Sequence, residues 1–136
     1  MTAKAKVLIV DDESVVRQAL TRILGGVYGP VGTAASGDEA LQRMREERYD
    51  LVLLDLRMPG MDGLDVLKAI KRDWPECEVV IVTGCAGIEL AKASVAAGAF
   101  DVLPKPVGPD DVIETTHDAL MHKGFALRFE PALPMH

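Results

Sequence analysis

The alternation of short apolar runs with amphipathic segments is the feature that most limits how this chain can fold. Five short runs that contain β-branched residues or Leu are predicted strands, at 7–10, 31–34, 51–54, 79–82 and 100–103. Five segments with apolar side chains at helical spacing are predicted helices, at 14–24, 37–46, 64–73, 88–97 and 109–121. Strict alternation of this kind predicts an α/β fold, a parallel sheet covered by helices on both faces, because right-handed crossovers leave few other topologies.

The chain length fits this architecture as a single domain. At 136 residues, one core is expected, and the aromatic fraction of 4% means that it is built from aliphatic side chains. The predicted domain covers residues 5–121. Residues 122–136 are predicted to form a C-terminal tail or loose extension, because this stretch contains Gly124, Pro131 and Pro134 and has no clear periodicity.

Charge and cysteine content exclude several kinds of partner. The formal charge of −6 argues against direct nucleic-acid binding and against anionic membranes, since both interactions depend on Lys and Arg. Cys77 and Cys85 are too few for a disulfide framework, which favours a reducing compartment. The first apolar run ends at Asp11, too short for a signal peptide or a membrane span, so a cytoplasmic protein is predicted.

Polar residues follow four of the five predicted strands. In open α/β sheets, ligands bind beyond the carboxyl ends of the strands, so these residues are the first candidates for a site. They are Asp11, Asp12 and Glu13 after the first strand, Asp55 after the third, Thr83 and Gly84 after the fourth, and Lys105 after the fifth.

Each candidate has an ordinary explanation when it is taken alone. Asp11 or Asp12 could cap the first helix, Asp55 could be a turn residue, and Lys105 could be a solvated lysine. Together, however, clustered carboxylates repel one another unless a cation compensates them, and a hard divalent ion such as Mg²⁺ prefers oxygen ligands. Metal and Lys105 could then neutralise the charge of a phosphoryl group that is transferred to an Asp, a residue that forms acyl phosphates. Asp55 is the candidate nucleophile because it alone closes a central strand.

Four segments carry a resemblance to a known family: VLIVDDE at 7–13, LLDLRMPGMDG at 53–63, IVTG at 81–84, and GAFD through Lys105-Pro106 at 98–106. With them, the sequence resembles the response regulator receiver domain of two-component signalling. The resemblance implies a flavodoxin-like, doubly wound, five-stranded parallel sheet of order 2-1-3-4-5 with five helices.

The resemblance also implies roles for the acidic residues. Asp55 would be the phosphoacceptor and a metal ligand. Asp12 would bind Mg²⁺ directly, Asp11 would complete the acidic site, often through water, and the backbone carbonyl of Arg57 would be a further ligand. Glu13 is a neighbour without an assigned role.

The residues after the last two strands would bind the phosphoryl group. The resemblance implies that the Thr83 hydroxyl and the Lys105 ammonium contact phosphoryl oxygens, with the Gly84 amide as a further donor. It also predicts a cis peptide bond between Lys105 and Pro106, although only about 5–6% of X-Pro bonds in folded proteins are cis.

The implied function is that of a bacterial, phosphorylation-controlled signalling module. Its donor would be a phosphohistidine on a sensor histidine kinase or on a phosphotransfer protein. The chain would be a substrate that assists its own phosphorylation and dephosphorylation, and in this sense it is not an enzyme. The output partner cannot be read from the sequence, and a monomer or weak dimer is expected.

Three other functions compete with this one. An aspartate-nucleophile phosphatase would also place Asp after an apolar strand, but it needs a second Asp where Arg57 stands. A flavodoxin-like FMN protein would need a Ser/Thr/Gly-rich loop after the first strand, and none is present. A phosphorylation-insensitive interaction scaffold is suggested by Val102, since receivers usually carry Tyr or Phe at this position.

The resemblance also places Arg57 and Cys85 at positions where the family varies, and from which side chains can shield an acyl phosphate from water.

Overall fold

The computed structural model describes residues 5–84 and 87–122. The predictions for Cys85 and for the tail beyond residue 122 lie outside these ranges. The strands are β1 Val7–Val10, β2 Val31–Ala34, β3 Leu51–Leu54, β4 Arg57–Met58, β5 Met61–Asp62, β6 Glu78–Thr83 and β7 Asp101–Pro104. The helices are α1 Ser14–Tyr28, α2 Gly37–Glu46, α3 Gly63–Asp73, α4 Ile88–Ala96 and α5 Pro109–His122.

Five of the strands form one parallel sheet in the order β2-β1-β3-β6-β7. This is the predicted order 2-1-3-4-5, because β4 and β5 stand outside the sheet as a separate antiparallel pair that the sequence did not predict. Val10 is in register with Ala34 on one side and with Leu54 on the other. The residues that follow β1 and β3 therefore begin at the same level of the same sheet edge.

The sheet separates two apolar layers. Leu8 and Val10 of β1 pack into the layer that contains the buried faces of α2 and α3, whereas Val7 and Ile9 pack into the layer of α1 and α5. All four β1 residues are buried. This burial on both faces explains why the run is continuously apolar instead of alternating with polar residues.

Helix α1 continues four residues beyond its predicted end at residue 24. Gly25 and Gly26 suggest a break, since each glycine costs a helix roughly 1 kcal/mol relative to Ala. The helix nevertheless continues because Tyr28 is buried and its hydroxyl lies 3.4 Å from Thr116 Oγ1 on α5. Gly29 then ends it, with a positive φ of 91° that favours glycine.

Local contacts fix the first turns of α2 and α3. Ser36 caps α2: its Oγ accepts a hydrogen bond from the Glu39 amide, and the Glu39 carboxylate accepts one from the amide of Ala35, the residue before the cap. At the start of α3, a Cβ on Gly63 would lie 2.3 Å from Leu56 Cα, so only glycine allows this close approach. The contact holds the segment that directly follows Asp55 against α3.

Within residues 5–84 and 87–122, no helix has the length and apolar character that a membrane crossing requires.

Candidate functional site

Backbone hydrogen bonds extend the parallel pairing one residue beyond the strand ends. They run from Asp11 N to Ala34 O at 3.1 Å, from Asp55 N to Val10 O at 3.0 Å, and from Lys105 N to Thr83 O at 3.0 Å. Each bond anchors the main chain of a predicted site residue to a neighbouring strand. The positions of Asp11, Asp55 and Lys105 are therefore set by the sheet and not by a free loop.

The Lys105 ammonium lies at the centre of the site. Its Nζ is 2.7 Å from Asp11 Oδ2, 3.0 Å from Asp55 Oδ2 and 3.3 Å from Glu13 Oε1. Asp11 and Asp55 are only 2% and 4% exposed, whereas the Glu13 side chain is 62% exposed. One cation is thus shared by three carboxylates, and two of these are almost completely withdrawn from water.

Burial and neighbouring charges shift the pKa values of both Asp11 and Lys105. Burial raises the pKa of the Asp11 carboxyl, and the hydrogen bond from Lys105 only partly opposes this effect. Burial alone would lower the pKa of the Lys105 ammonium, but the hydrogen bonds and charges of Asp11 and Asp55 outweigh it and raise the pKa above its ordinary value. Both groups therefore hold protons more tightly than in water, Asp11 because it is buried and Lys105 because two carboxylates contact it.

The second oxygen of each buried carboxylate is fixed by a backbone amide two residues later. Asp11 Oδ1 accepts a hydrogen bond from the Glu13 amide at 2.9 Å, and Asp55 Oδ1 accepts one from the Arg57 amide at 3.0 Å. In addition, the Arg17 guanidinium donates to the Asp11 carbonyl at 2.6 Å. Both carboxylates are therefore held in one orientation before any ligand binds.

The arrangement of oxygens fits a hard divalent cation. Ligand oxygens of Asp11, Asp12 and Asp55 lie within 4.8 Å of one another. Asp12 is exposed, so it could bind an ion and still leave room for water. Mg²⁺ typically binds one or two protein carboxylates and keeps several waters, and the three oxygens provide this chemistry.

A cleft of about 360 Å³ opens at this edge of the sheet, and it is lined by Asp12, Glu13, Asp55, Arg57, Gly84 and Lys105. Thr83, which directly precedes Gly84, is fully buried, and its Oγ1 has no hydrogen-bond partner within the described ranges. An unpaired buried hydroxyl costs about 1–3 kcal/mol. Among these residues, the Thr83 hydroxyl is therefore available to donate a hydrogen bond to a ligand in the cleft.

The structure brings together most of the predicted site residues. Asp11, Asp12, Asp55 and Lys105 form one cluster, with Thr83 and Gly84 at its border, and the predicted cis bond between Lys105 and Pro106 is present. The contact of Glu13 with Lys105 was missed, because the two residues are 92 positions apart and no local pattern links them. The only available signal was the position of Glu13 beside two other acids.

The residues predicted to modulate the site are placed differently. The Arg57 side chain is exposed at the cleft. Val102 is half-buried and packs against the apolar layer of α2 and α3. A role for Arg57 in shielding a phosphoryl group, and an effect of Val102 on switching, remain predictions.

Comparison with known proteins is consistent with this geometry. The response regulator receiver domain family matches residues 7–117. The chain is 40% identical over 114 residues to the DNA-binding transcriptional regulator NtrC of Klebsiella pneumoniae, a match that covers 84% of this chain and 24% of that protein. This chain thus spans about a quarter of the length of the NtrC proteins it matches.

Solved structures show the same fold. A CheY-like receiver domain protein from Methanospirillum hungatei JF-1 superimposes with a TM-score of 0.85 at 30% identity, over 89% of this chain and 97% of that one. A chain of the CheX-CheY-BeF3-Mg+2 complex from Borrelia burgdorferi superimposes with a TM-score of 0.80 at 29% identity, over 84% of this chain and 87% of that one.

Proposed function

Because this chain belongs to the response regulator receiver domain family, we propose that it accepts a phosphoryl group on Asp55 and thereby acts as the controlled module of a two-component system. The observation that carries the proposal is the position of the buried Asp55 carboxylate, 3.0 Å from the Lys105 ammonium and within 4.8 Å of the Asp11 and Asp12 oxygens. A nucleophilic carboxylate beside a fixed cation and further acids is the arrangement that phosphoryl transfer requires.

The residues of the chain supply nucleophile, orientation and charge. A carboxylate oxygen of Asp55 forms a bond to phosphorus while the bond from phosphorus to the donor breaks, and the donor leaves with that electron pair. The Arg57 amide and Lys105 orient the carboxylate before attack. Lys105 then balances the negative charge on the phosphoryl oxygens, and the Thr83 hydroxyl, which has no hydrogen-bond partner among residues 5–84 and 87–122, donates to one of them.

We propose that Asp11, Asp12, Asp55 and the Arg57 backbone carbonyl hold Mg²⁺. The ion would supply neutralisation of charge on the phosphoryl oxygens and on the clustered acids. One Lys105 ammonium that is shared by three carboxylates leaves the site short of positive charge, which supports this proposal. The related Borrelia burgdorferi complex, which contains Mg²⁺ and BeF3, also supports this choice of ion.

The donor proposed for this chain is a phosphohistidine on a sensor histidine kinase or on a phosphotransfer protein, in the cytoplasm. On this proposal the chain is consumed and regenerated as a substrate and does not turn over as an enzyme. The phosphatase alternative receives no support, because the second Asp that it needs would stand where this chain has Arg57.

The test is phosphorylation by acetyl phosphate in the presence of Mg²⁺, followed by intact-mass measurement. We expect a single phosphate adduct that hydroxylamine removes, since hydroxylamine cleaves acyl phosphates. Asp55→Asn should abolish the adduct, and the matched variant Asp65→Asn, at an exposed aspartate in the first turn of α3, should retain it. An adduct that persists in Asp55→Asn would refute the assignment, and no adduct on the wild type would favour the scaffold alternative.

A further inference from the structure

Glu13 is an acidic residue at the rim of the site whose contact the phosphoacceptor role does not explain. Its Oε1 lies 3.3 Å from Lys105 Nζ, and it lines the same cleft as Asp55. It is also the N-cap residue of α1, yet its side chain makes no capping hydrogen bond. A carboxylate at this position would normally be stabilised by the free amides of the first helical turn. Here the carboxylate contacts Lys105 instead.

Lys105 has as many carboxylate contacts as its ammonium group has hydrogen-bond donors. An ammonium group has three N–H donors, and the carboxylates of Asp11, Asp55 and Glu13 are the three acceptors within 4 Å among the ion pairs of the described residues. A phosphoryl group on Asp55 needs a donor from the same ammonium. One of the existing contacts must then be weakened or given up.

The contact with Glu13 costs the least to release. Asp11 is 2% exposed and its contact is the shortest, at 2.7 Å, so its separation from Lys105 would leave a buried charge without compensation. Asp55 carries the phosphoryl group itself. Glu13 has the longest contact and a side chain that is 62% exposed, so water can replace the lost interaction.

We propose that Glu13 is a positioning residue that holds Lys105 in the unphosphorylated protein and is exchanged for a phosphoryl oxygen when Asp55 is phosphorylated. Because the Glu13 carboxylate and the phosphoryl oxygen compete for the Lys105 ammonium, Glu13 slows the phosphorylation of Asp55. This inference rests on the proposed function of Asp55. Loss of the carboxylate contact should therefore accelerate phosphorylation.

The test compares two substitutions that separate contact from charge. Glu13→Gln removes the charge at nearly the same length, whereas Glu13→Asp keeps the charge but shortens the side chain by one methylene group. Both should form the acetyl phosphate adduct about two- to fivefold faster than the wild type, a range set by the weak interaction of an exposed ion pair. Glu114→Gln on α5, an exposed site with the same charge change, should leave the rate unchanged.

Ionic strength provides a readout that a purely structural role would not change. The advantage of Glu13→Gln over the wild type should shrink in high salt, since an exposed ion pair is screened. Equal rates for wild type and Glu13→Gln would overturn the inference, as would acceleration in Glu13→Gln but not in Glu13→Asp, which would assign the effect to charge alone. Absence of an adduct on the wild type would instead overturn the proposed function together with this inference, so the two failures are distinguishable.

Discussion

Replacement of Thr83 by Val should stabilise the metal-free protein while it impairs phosphorylation. The Thr83 side chain is fully buried, and its hydroxyl is unpaired among residues 5–84 and 87–122. Valine has nearly the same shape and the same preference for a strand, so it removes the unsatisfied group without leaving a cavity. The hydroxyl is thus expected to be retained for its ligand and not for the fold.

The expected gain follows from the cost of an unpaired buried group, which is about 1–3 kcal/mol in free energy of unfolding. For a chain of 136 residues, an unfolding entropy of about 2.1 cal/mol/K per residue gives a shift of roughly 3.5 °C per kcal/mol. Thr83→Val should therefore raise Tm by about 4–10 °C in a thermal melt monitored by circular dichroism. Adduct formation with acetyl phosphate should slow by about 10- to 150-fold, because a hydrogen bond to a charged group contributes about 1.5–3 kcal/mol.

Thr116 provides the matched control. It is also fully buried, but its hydroxyl donates to the Ile113 carbonyl at 3.0 Å and lies 3.4 Å from the Tyr28 hydroxyl. Thr116→Val should lower the free energy of unfolding by about 1 kcal/mol, since it removes hydrogen bonds that are made. If Thr83→Val melts at or below the wild-type temperature, the hydroxyl is satisfied in solution and the reasoning fails.

Two further predictions concern charge at the site. Burial raises the pKa of Asp11 above its ordinary value of 3.8, so the native state binds this proton more tightly than the unfolded state, and the stability it contributes is lost as pH rises through the raised pKa. Urea titrations without metal would give the free energy of unfolding of Asp11→Asn and of the wild type. The difference, Asp11→Asn minus wild type, should increase between about pH 4 and pH 7. A constant or falling difference would contradict the raised pKa of Asp11. Mg²⁺ at about 100 times its Kd should stabilise the wild type by about 2.7 kcal/mol. This gain should disappear with EDTA and be much smaller in Asp12→Asn, and an equal gain in both proteins would place the ion elsewhere.

Much of the fold could be predicted because its signals are local. The continuous run from Val7 to Val10 is apolar because both faces of β1 are covered, and α2 begins after the Ser36 cap at residue 37, where the sequence predicts it. The ends of helices and strands could not be predicted where contacts between distant parts of the chain set them. Helix α1 passes through two glycines because Tyr28 packs beside Thr116 on another helix. Likewise, the β4–β5 pair was missed, since no local hydrophobic pattern marks a pair of two-residue strands.

Most of the residues that meet at the site could be predicted from the sequence alone, although the contact of Glu13 with Lys105 could not. The spacing of apolar residues is a property of each short segment, and the parallel sheet that it implies brings Asp11, Asp55 and Lys105 to one edge. The tertiary structure alone decided how these residues share their charges. The 2.7 Å contact of Lys105 with Asp11, the burial of the Thr83 hydroxyl and the contact of Lys105 with Glu13 depend on side-chain positions across distant parts of the chain. Such distances follow from the packing of all strands and helices together, and no single segment of the sequence encodes them.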